Sequence, residues 1–358
     1  MEQDRLKRPD LLWLEVTGKC NLQCKHCYAE SSPYRRINEG MELSDWMGAL
    51  DEGADLGFRR VQFIGGEPTL HPDLPRMIER ARHRGFQDVC VYSNGTHLNS
   101  AIKESLLKHQ VSLAVSIYGT DGSVHDGVTQ RLGSFDKTCR VLQWALDVGL
   151  KVRVGVVAME SNLHDAFAAE RSLREVGIPV HLDMLRGLGR ARKERPDNEP
   201  LEELCGRCGD GKLCVSVSGE IFPCIFSRFH SLGHIRAVGL RGALAGETLA
   251  RFRDALLVRR STEPSSGTRA HVLSDGGCSP EQDPGPCNPE KDPGPCNPEK
   301  DPGPCNPEKD PGPCNPEKDP GPCNPERDGS RDVRWVMAKA GATLSYRRRR
   351  HMIPLHFR

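Results

Sequence analysis

Six short apolar runs alternate with longer amphipathic stretches in the first half of the chain. The runs cover residues 11–16, 60–64, 88–92, 113–117, 152–157 and 180–184. The stretches between them have helical spacing and cover residues 44–56, 73–84, 99–109, 135–148 and 164–176. Strand-then-helix units in succession predict an α/β fold whose parallel strands are joined by right-handed crossovers. Periodicity alone leaves two architectures open, an open barrel and a flat doubly wound sheet.

Local signals mark the ends of several of these helices. Ser44 is the predicted N-cap of the first helix, because a serine hydroxyl accepts a hydrogen bond from the free N–H groups of a first turn. Gly57, Gly85 and Gly149 are predicted helix stops, because glycine readily adopts the left-handed conformation that ends many helices. Each glycine directly follows an amphipathic stretch, which supports the helical assignment.

Composition divides the chain into four segments. Residues 1–195 hold the alternating pattern and are predicted to form the main domain, and residues 196–262 are predicted to form a smaller unit rich in cysteine and glycine at its start. Residues 263–330 contain five copies of the nine-residue unit DPGPCNPEK, the last ending in arginine. That segment has almost no apolar residue to bury, so we expect it to be disordered. Residues 331–358 are a basic tail.

Charge and composition disfavour several classes of function. The 358-residue chain is 37% hydrophobic and has a formal net charge of +1, so no overall field favours a nucleic acid or a membrane surface. Its first residues lack the apolar core of a signal peptide, and its apolar runs are too short to cross a bilayer. We expect a cytoplasmic protein with no nucleic-acid and no membrane partner. Because a reducing compartment disfavours disulfides, its fifteen cysteines are expected to be metal ligands and packed thiols.

The strongest chemical signal follows the first predicted strand. There the segment CNLQCKHCY places Cys20, Cys24 and Cys27 at spacings of three and two residues. Thiolates this close on a loop can converge on one [4Fe–4S] cluster, and three of them leave one iron without a protein ligand. A zinc knuckle and an ordinary electron-transfer cluster are the alternatives that the spacing leaves open.

A glycine-rich turn follows the second predicted strand. Gly65 and Gly66 allow the backbone to approach a ligand closely, and Pro68 completes the segment GGEP. Glu67 and nearby backbone carbonyls can accept hydrogen bonds from a cationic ammonium group. Because this turn and the three-cysteine loop follow neighbouring predicted strands, we do not interpret their joint occurrence as chance.

Together these residues resemble the radical S-adenosylmethionine superfamily. The resemblance rests on Cys20, Cys24 and Cys27, on Tyr28 directly after them, and on residues 65–68, and it extends over about residues 10–195. It implies an open partial (β/α)6 barrel. It also implies that the three cysteines bind a [4Fe–4S] cluster whose remaining iron is chelated by S-adenosylmethionine, with Gly65, Gly66 and Glu67 holding the ammonium group.

The resemblance extends with less specificity to later strand ends. Ser93 and Asn94 resemble a segment near the methionine moiety, and Ser116 occupies a position that commonly contacts the ribose; turn chemistry is the alternative for all three. No side chain beyond the cofactor ligands is predicted to act as a catalyst. The arginine expected after the His125-Asp126 pair is not cleanly placed, so its carboxylate-binding role is not carried over.

Four more cysteines fall within twenty residues of the second unit. They are Cys205, Cys208, Cys214 and Cys224, and with Gly219 they resemble the opening of a SPASM or twitch extension. That resemblance implies an auxiliary [4Fe–4S] cluster, whereas four nearby thiols could instead hold one zinc ion. We further hypothesise that Cys278 and Cys287 complete the auxiliary ligation. The role of the later repeat cysteines stays open: Cys296, Cys305, Cys314 and Cys323.

The resemblance implies an enzyme that cleaves S-adenosylmethionine reductively to a 5′-deoxyadenosyl radical. The SPASM-like unit points to a peptide or protein substrate, an electron donor of the flavodoxin or ferredoxin type, and a separate protein for peptide recognition. A maturase for a tetrapyrrole, a pterin or a small molecule is the alternative enzyme. A metal-binding or iron–sulfur scaffold protein is the alternative of another class.

Overall fold

The fold is built on one eight-stranded sheet with helices packed against it. The computed structural model describes residues 8–192 and 201–262. The strands are β1 (Leu11–Thr17), β2 (Arg60–Gly65), β3 (Asp88–Ser93), β4 (Ser112–Ser116), β5 (Val152–Ala158), β6 (Val180–Met184), β7 (Lys212–Val215) and β8 (Ile221–Phe222). All six strands predicted from the apolar runs are confirmed. The predictions that rest on residues 263–358, including the repeat cysteines, lie outside the described residues.

Eight helices accompany these strands in the described part of the chain. They are α1 (Leu43–Asp55), α2 (Leu74–His83), α3 (Ser100–Lys108), α4 (Gly122–Thr129), α5 (Ser134–Asp147), α6 (Leu163–Glu175), α7 (Ile235–Ala245) and α8 (Glu247–Thr262). Short 3-10 turns cover Pro68–Leu70, Glu160–Asn162, Gly189–Ala191 and Leu201–Glu203. The five predicted helices correspond to α1, α2, α3, α5 and α6. Helix α4 was not predicted from the sequence.

The sheet is an open parallel barrel wall rather than a flat doubly wound sheet. Its strand order is β6-β5-β4-β3-β2-β1-β7-β8, so strands β1 to β6 lie side by side in the order of the chain. Those six strands are parallel, β7 adds to β1 in parallel, and β8 pairs antiparallel to β7. The carboxyl ends of β1 to β6 therefore meet at one edge of the sheet.

Alternation along each strand separates two faces. On β1, Leu12, Leu14 and Val16 join a large apolar core that includes residues from helices α1, α2, α3, α5 and α6. Leu11 and Trp13 of the same strand face the other way and join a smaller core with residues of β7, β8 and α8. The outer face is thus covered by helices, and the inner face is free to line a cavity and to contact the second unit.

The start of α1 differs from the prediction. Its N-cap is Glu42 and not Ser44, because the backbone N–H of Glu42 donates to the carboxylate of Asp45 at 2.7 Å, which closes a capping box two residues earlier. The three glycine stops are confirmed. Gly57, Gly85 and Gly149 follow helices at φ values of 88°, 85° and 74°, in the left-handed region.

The cysteine-rich unit continues the sheet of the first unit. Leu11 to Leu14 of β1 pair with Lys212 to Val215 of β7, with Trp13 opposite Cys214. Neither β7 nor β8 was predicted from the sequence. The proposed boundary between the two units at residues 195 and 196 stays a prediction. Within residues 8–192 and 201–262, no helix has the length and apolar character needed to cross a membrane.

Candidate active site

A cavity of about 280 Å³ opens at the carboxyl ends of the parallel strands. Most of the residues singled out in the first unit line it: Cys20, Cys24, Cys27, Tyr28, Gly65, Gly66, Ser93, Asn94 and Ser116. Glu67 and Pro68 are buried and do not form part of this lining. Strand order explains the convergence, because β1, β2, β3 and β4 are neighbours and each motif follows one of them. The cavity therefore joins three separate sequence motifs.

The three-cysteine loop is held by contacts from other loops. The backbone N–H of Cys20 donates to the carbonyl of Ser32 at 3.0 Å, and its Sγ accepts from the backbone N–H of Leu22 at 3.4 Å and from Nδ2 of Asn94 at 3.7 Å. Burial, with a smaller effect of Glu67, raises the pKa of the Cys20 thiol to about 12. Burial also raises the pKa of Cys24. A metal that binds these sulfurs as thiolates compensates for that cost.

The segment after β6 clamps the cysteine loop from across the barrel. Arg190 donates from Nε to the carbonyl of Cys24 at 2.9 Å, from Nη2 to the carbonyl of Ser31 at 2.8 Å, and from its backbone N–H to the carbonyl of Cys27 at 3.1 Å. Gly189 has a φ of 55°, and a Cβ there would lie 2.4 Å from the Cys27 carbonyl oxygen. This clamp was not predicted from the sequence.

The two glycines after β2 pack directly on the backbone that leads to the cysteines. A Cβ at Gly66 would lie 2.1 Å from the carbonyl oxygen of Lys19, and one at Gly65 would lie 2.4 Å from that of Thr17. The N–H of Gly66 donates to the Thr17 carbonyl at 2.6 Å, and that of Glu67 donates to the Lys19 carbonyl at 2.8 Å. Glycine is required here by close approach of two backbones.

The Glu67 carboxylate is fully enclosed and organises the turn after β3. Its Oε1 accepts from Thr69 Oγ1 at 2.7 Å, from Ser93 Oγ at 2.8 Å and from the Thr69 N–H at 3.2 Å. Its Oε2 accepts from the Asn94 N–H at 2.7 Å. Burial is the main cause that raises its pKa. The side chain thus positions Ser93 and Asn94, and the expected contact with an ammonium group stays a prediction.

Asn94 connects this turn to the cysteine loop. Its Nδ2 donates to Oδ1 of Asn21 at 2.8 Å as well as to Cys20 Sγ, and its Oδ1 accepts from Thr96. Ser116 lies against the hydroxyls of Tyr92 and Tyr118 at the end of β4. The structure therefore brings Ser93, Asn94 and Ser116 to the cavity, and their proposed contacts with a cofactor stay predictions.

The His125-Asp126 pair has a structural role in the described fold. Nδ1 of His125 accepts from the Tyr118 N–H at 3.3 Å. The carboxylate of Asp126 accepts from the Phe135 N–H at 2.8 Å and from Ser134 Oγ at 2.7 Å, which ties α4 to the start of α5. The pair thus connects α4 to the segment after β4 and to the start of α5.

A buried ion pair links the first strand to the second unit. Glu15 on β1 is 1% exposed, and both its oxygens lie 2.5 Å from Nη1 of Arg228. Arg228 also lies over the ring of Tyr28 at 5.8 Å, and Tyr28 makes an edge contact with Phe226 at 5.3 Å. The pair was missed, although a carboxylate within an otherwise apolar strand is a signal that could have revealed it.

The second set of cysteines gathers against the inner face of β1. The Sγ atoms of Cys208 and Cys224 lie 3.0 Å apart, and Cys205 lies close enough to both to affect their ionisation. Cys214 is fully buried in the same small core, where burial raises its pKa. No three His, Cys, Asp or Glu side chains of the described residues converge on a single-ion site. A cubane cluster needs no such convergence, because each thiolate binds a different iron.

Comparison with known proteins gives similarities that match this geometry. A family profile described as the Radical SAM superfamily matches residues 14–170. The antilisterial bacteriocin subtilosin biosynthesis protein AlbA of Bacillus subtilis (strain 168) is 27% identical over 62% of this chain and 56% of its own length. Fe-coproporphyrin III synthase of Methanosarcina barkeri is 30% identical over 55% of this chain and 49% of its own length. The chain thus spans about half the length of these curated relatives.

The fold is also similar to that of a solved structure. That structure is native anSMEcpe with bound AdoMet and the Cp18Cys peptide, with a TM-score of 0.55 and 14% identity. The match covers 76% of this chain and 90% of that chain. At this identity the likeness supports the fold, an open partial barrel, and does not by itself assign a substrate.

Proposed function

We propose, from the match of residues 14–170 to the profile of the Radical SAM superfamily, that this chain cleaves S-adenosylmethionine reductively and modifies a peptide or protein. The single observation that carries the proposal is the convergence of three motifs on one cavity. The cysteine loop, the glycine turn after β2 and the Ser93-Asn94 turn all line it. Each motif alone is weak support for a function, whereas together the three motifs would form a site for a metal cluster and a ligand.

The residues present fit a [4Fe–4S] cluster in the cavity. Cys20, Cys24 and Cys27 would hold it, because their sulfurs are soft donors that border one space and Cys20 Sγ is already oriented by two N–H groups. When bound, the cluster supplies one electron to S-adenosylmethionine, which yields methionine and a radical that takes a hydrogen atom from the substrate. The protein's own contribution is placement and exclusion of water.

The surrounding residues would perform that placement. Gly65 and Gly66 allow their turn to pack against the backbone that leads to the cysteine loop, and both glycines line the cavity. Glu67 fixes the Ser93-Asn94 turn, and Asn94 in turn fixes Cys20. Tyr28 closes one wall together with Phe226.

We also propose that Cys205, Cys208, Cys214 and Cys224 hold an auxiliary [4Fe–4S] cluster. Their burial supports it, as does the position of Cys208, Cys214 and Cys224 in the small core beside β1. An electron donor of the flavodoxin or ferredoxin type would reduce the first cluster. A separate recognition protein would deliver the substrate, and the proposed location is the cytoplasm.

A peptide substrate is favoured over a tetrapyrrole, although each has a relative in its support. The name of AlbA refers to the biosynthesis of a bacteriocin, and the solved structure contains a bound peptide. Fe-coproporphyrin III synthase supports a tetrapyrrole substrate as the second candidate. Because the matches cover about half of each curated relative, the substrate class remains part of the proposal.

The deciding experiment is anaerobic reconstitution with iron and sulfide, reduction with dithionite, and measurement of 5′-deoxyadenosine. Wild-type protein is expected to form it, and a variant with Cys20, Cys24 and Cys27 changed to alanine is not. Cys139→Ala is the matched control, because Cys139 is a fully buried thiol on α5, remote from the cavity lining. Product formation by the triple variant at the wild-type rate would refute the site. Iron uptake without cleavage by the wild type would favour a scaffold protein.

A further inference from the structure

The inner end of the cavity contains an arginine that no part of the proposed cofactor site uses. Arg153 points from β5 into the barrel and lines the cavity together with Tyr92 and Gly155. Arg153 lies two positions before Gly155 on β5. Gly155 pairs with Ser116 of β4, whereas Arg153 pairs with Ala114. At about 3.3 Å per residue, Arg153 therefore starts about 7 Å below the level of Ser116. It lies deeper than the residues proposed to hold the cofactor.

The guanidinium of Arg153 is held in position by its neighbours. It lies over the ring of Tyr92 at 5.7 Å from the centroid, and Nη2 donates to Sγ of Cys90 at 3.6 Å. The Tyr92 ring is itself fixed, because its hydroxyl occupies the space where a side chain at Gly155 would begin. An arginine that is already ordered loses little conformational freedom when it binds a ligand.

This arginine has donors to spare. A guanidinium group has five N–H donors, and the hydrogen bond from Arg153 to the sulfur of Cys90 is a weak one. Within the part of the chain that the structure describes, no carboxylate lies within 4.0 Å of Arg153. The carboxylate of Asp183, which also faces the cavity, is paired with Arg186 at 3.1 Å. A planar cation in a half-enclosed cavity without a charge partner is suited to a carboxylate.

Other nearby carboxylates are also engaged. Asp88, which lines a second, small pocket together with Arg153 and Arg60, accepts from the hydroxyl of Ser112 at 2.8 Å. Asp10 is paired with Arg60 at 2.6 Å. The positive charge at the inner end of the cavity is therefore not neutralised by an ion pair from these groups. A substrate that enters from the cofactor side would meet it last.

We propose that Arg153 forms a carboxylate subsite that anchors the substrate at the inner end of the cavity. The proposal rests on the proposed function and adds the chemistry of the substrate to it. A carboxylate bound there would place carbon atoms of the same substrate several bonds away, toward the cysteine loop. Two sources share this chemistry, namely the acidic side chain of a peptide and the propionate of a tetrapyrrole.

Binding of paired probes to the full-length, anaerobically reconstituted protein tests the subsite. The first pair is a dansylated, C-terminally amidated peptide of glycine and alanine with a central glutamate, and its glutamine counterpart. The second pair is coproporphyrin III and its tetra-amide. Wild type is expected to bind the acid of at least one pair with a dissociation constant at least about tenfold lower than the amide. The pair that shows the preference identifies the source.

Variants then assign the preference to Arg153. Arg153→Gln is expected to abolish it and Arg153→Lys to reduce it, while Arg140→Gln, on the exposed face of α5, retains it. No acid preference in the wild type for either pair would overturn the proposal without requiring any variant to fold. A preference that survives in Arg153→Gln would also overturn it.

The proposed function is assessed separately in the same preparations. Formation of 5′-deoxyadenosine by the wild type without any probe reports on the cofactor site alone. Absence of that product would count against the proposed function, whereas the binding comparison would still decide whether the carboxylate subsite exists.

Discussion

Replacing Gly66 with alanine tests whether the glycine turn and the cysteine loop are packed backbone to backbone. The added Cβ would lie 2.1 Å from the carbonyl oxygen of Lys19 and 2.6 Å from its carbonyl carbon. Both are backbone atoms, so no rotamer change relieves the overlap. Since Cβ contacts below 3.0 Å essentially do not occur, the two segments must separate by about 0.9 Å.

The separation acts on the cluster site because Lys19 directly precedes Cys20. Overpacking of this kind costs about 1–3 kcal/mol of unfolding free energy, or roughly 2–12 °C in Tm for a folded unit of this size. A displacement near 1 Å at a reacting centre lowers rates by about 100-fold. We therefore expect Gly66→Ala to lose cleavage of S-adenosylmethionine far more strongly than it loses stability.

Two other glycines separate the possible causes of such a loss. Gly57 has a φ of 88° with open space around it, so Gly57→Ala introduces backbone strain without overlap. Gly48 lies exposed within α1 with nothing within 4 Å, so Gly48→Ala should stabilise the protein by about 0.5–1 kcal/mol. Both controls are expected to form 5′-deoxyadenosine at the wild-type rate per iron.

The assay measures iron content, Tm and the rate of 5′-deoxyadenosine formation after dithionite reduction. A Gly66→Ala protein with wild-type Tm and wild-type cleavage would refute the packing described between the two loops. Equal losses in Gly66→Ala and Gly57→Ala would show that general destabilisation, rather than displacement of the cysteine loop, is the cause.

Three further predictions follow from buried contacts. Arg228→Gln leaves the Glu15 carboxylate enclosed without its ion-pair partner and should lower the unfolding free energy by about 3–5 kcal/mol in denaturant titrations. The double variant Glu15→Met, Arg228→Leu should recover much of that lost stability. If the double variant instead lost the sum of the two single-variant losses, the role of the ion pair would be contradicted. Arg190→Ala removes donors to the Cys24 carbonyl and its neighbours, so amide exchange of the cysteine loop in metal-free protein should accelerate by about tenfold or more; unchanged exchange would argue against the clamp. Burial lowers the pKa of His125 from 6.5 to about 4. Between these pH values the unfolded chain therefore binds more protons than the folded protein does. The unfolding free energy should thus fall by up to about 1.4 kcal/mol per pH unit as the pH drops from 6.5 to 4. His125→Asn should flatten that slope, and an unaltered slope would contradict the assignment.

The barrel strands were predictable because their apolar residues are continuous and glycines end the intervening helices. The outer face of β1 buries Leu12 and Leu14, and its inner face buries Leu11 and Trp13, so both faces avoid water. A parallel strand covered on both sides is apolar throughout, which makes it easy to recognise. Its order among the other strands follows from the rule that successive crossovers share one hand.

Elements that depend on distant partners were not predictable from local pattern. Strand β7 has four residues, and it is a strand because β1 supplies hydrogen bonds to it. Helix α4 contains two glycines in eight residues, and its signal was the N-cap Asp121, whose carboxylate accepts from the N–H of Ser123 at 2.8 Å. In both cases tertiary contacts or a single cap outweighed weak intrinsic propensity.

The candidate site also contains residues that local sequence pattern predicts and residues that it does not predict. Cysteine spacing and the GGEP segment identified the lining residues, because ligand chemistry is visible in residue type. The side chains that hold the lining residues in place could not be predicted from local sequence, because Arg190 contacts the carbonyl of a residue 166 positions earlier in the chain. The prediction of Ser44 as a helix cap was wrong, because the Glu42 N–H donates to the Asp45 carboxylate and the helix begins two residues earlier.

The shared sheet also determines how the two sets of cysteines relate to each other. Trp13 of β1 pairs with Cys214 of β7, and Cys20 follows seven residues later on the same chain segment. Ile225 and Phe226, directly after Cys224, form part of the cavity wall that faces Tyr28. One layer of side chains therefore lies between the cavity and the second cysteine set. A cluster bound by that set would therefore lie beside the same cavity that Arg153 and the first cysteine loop line.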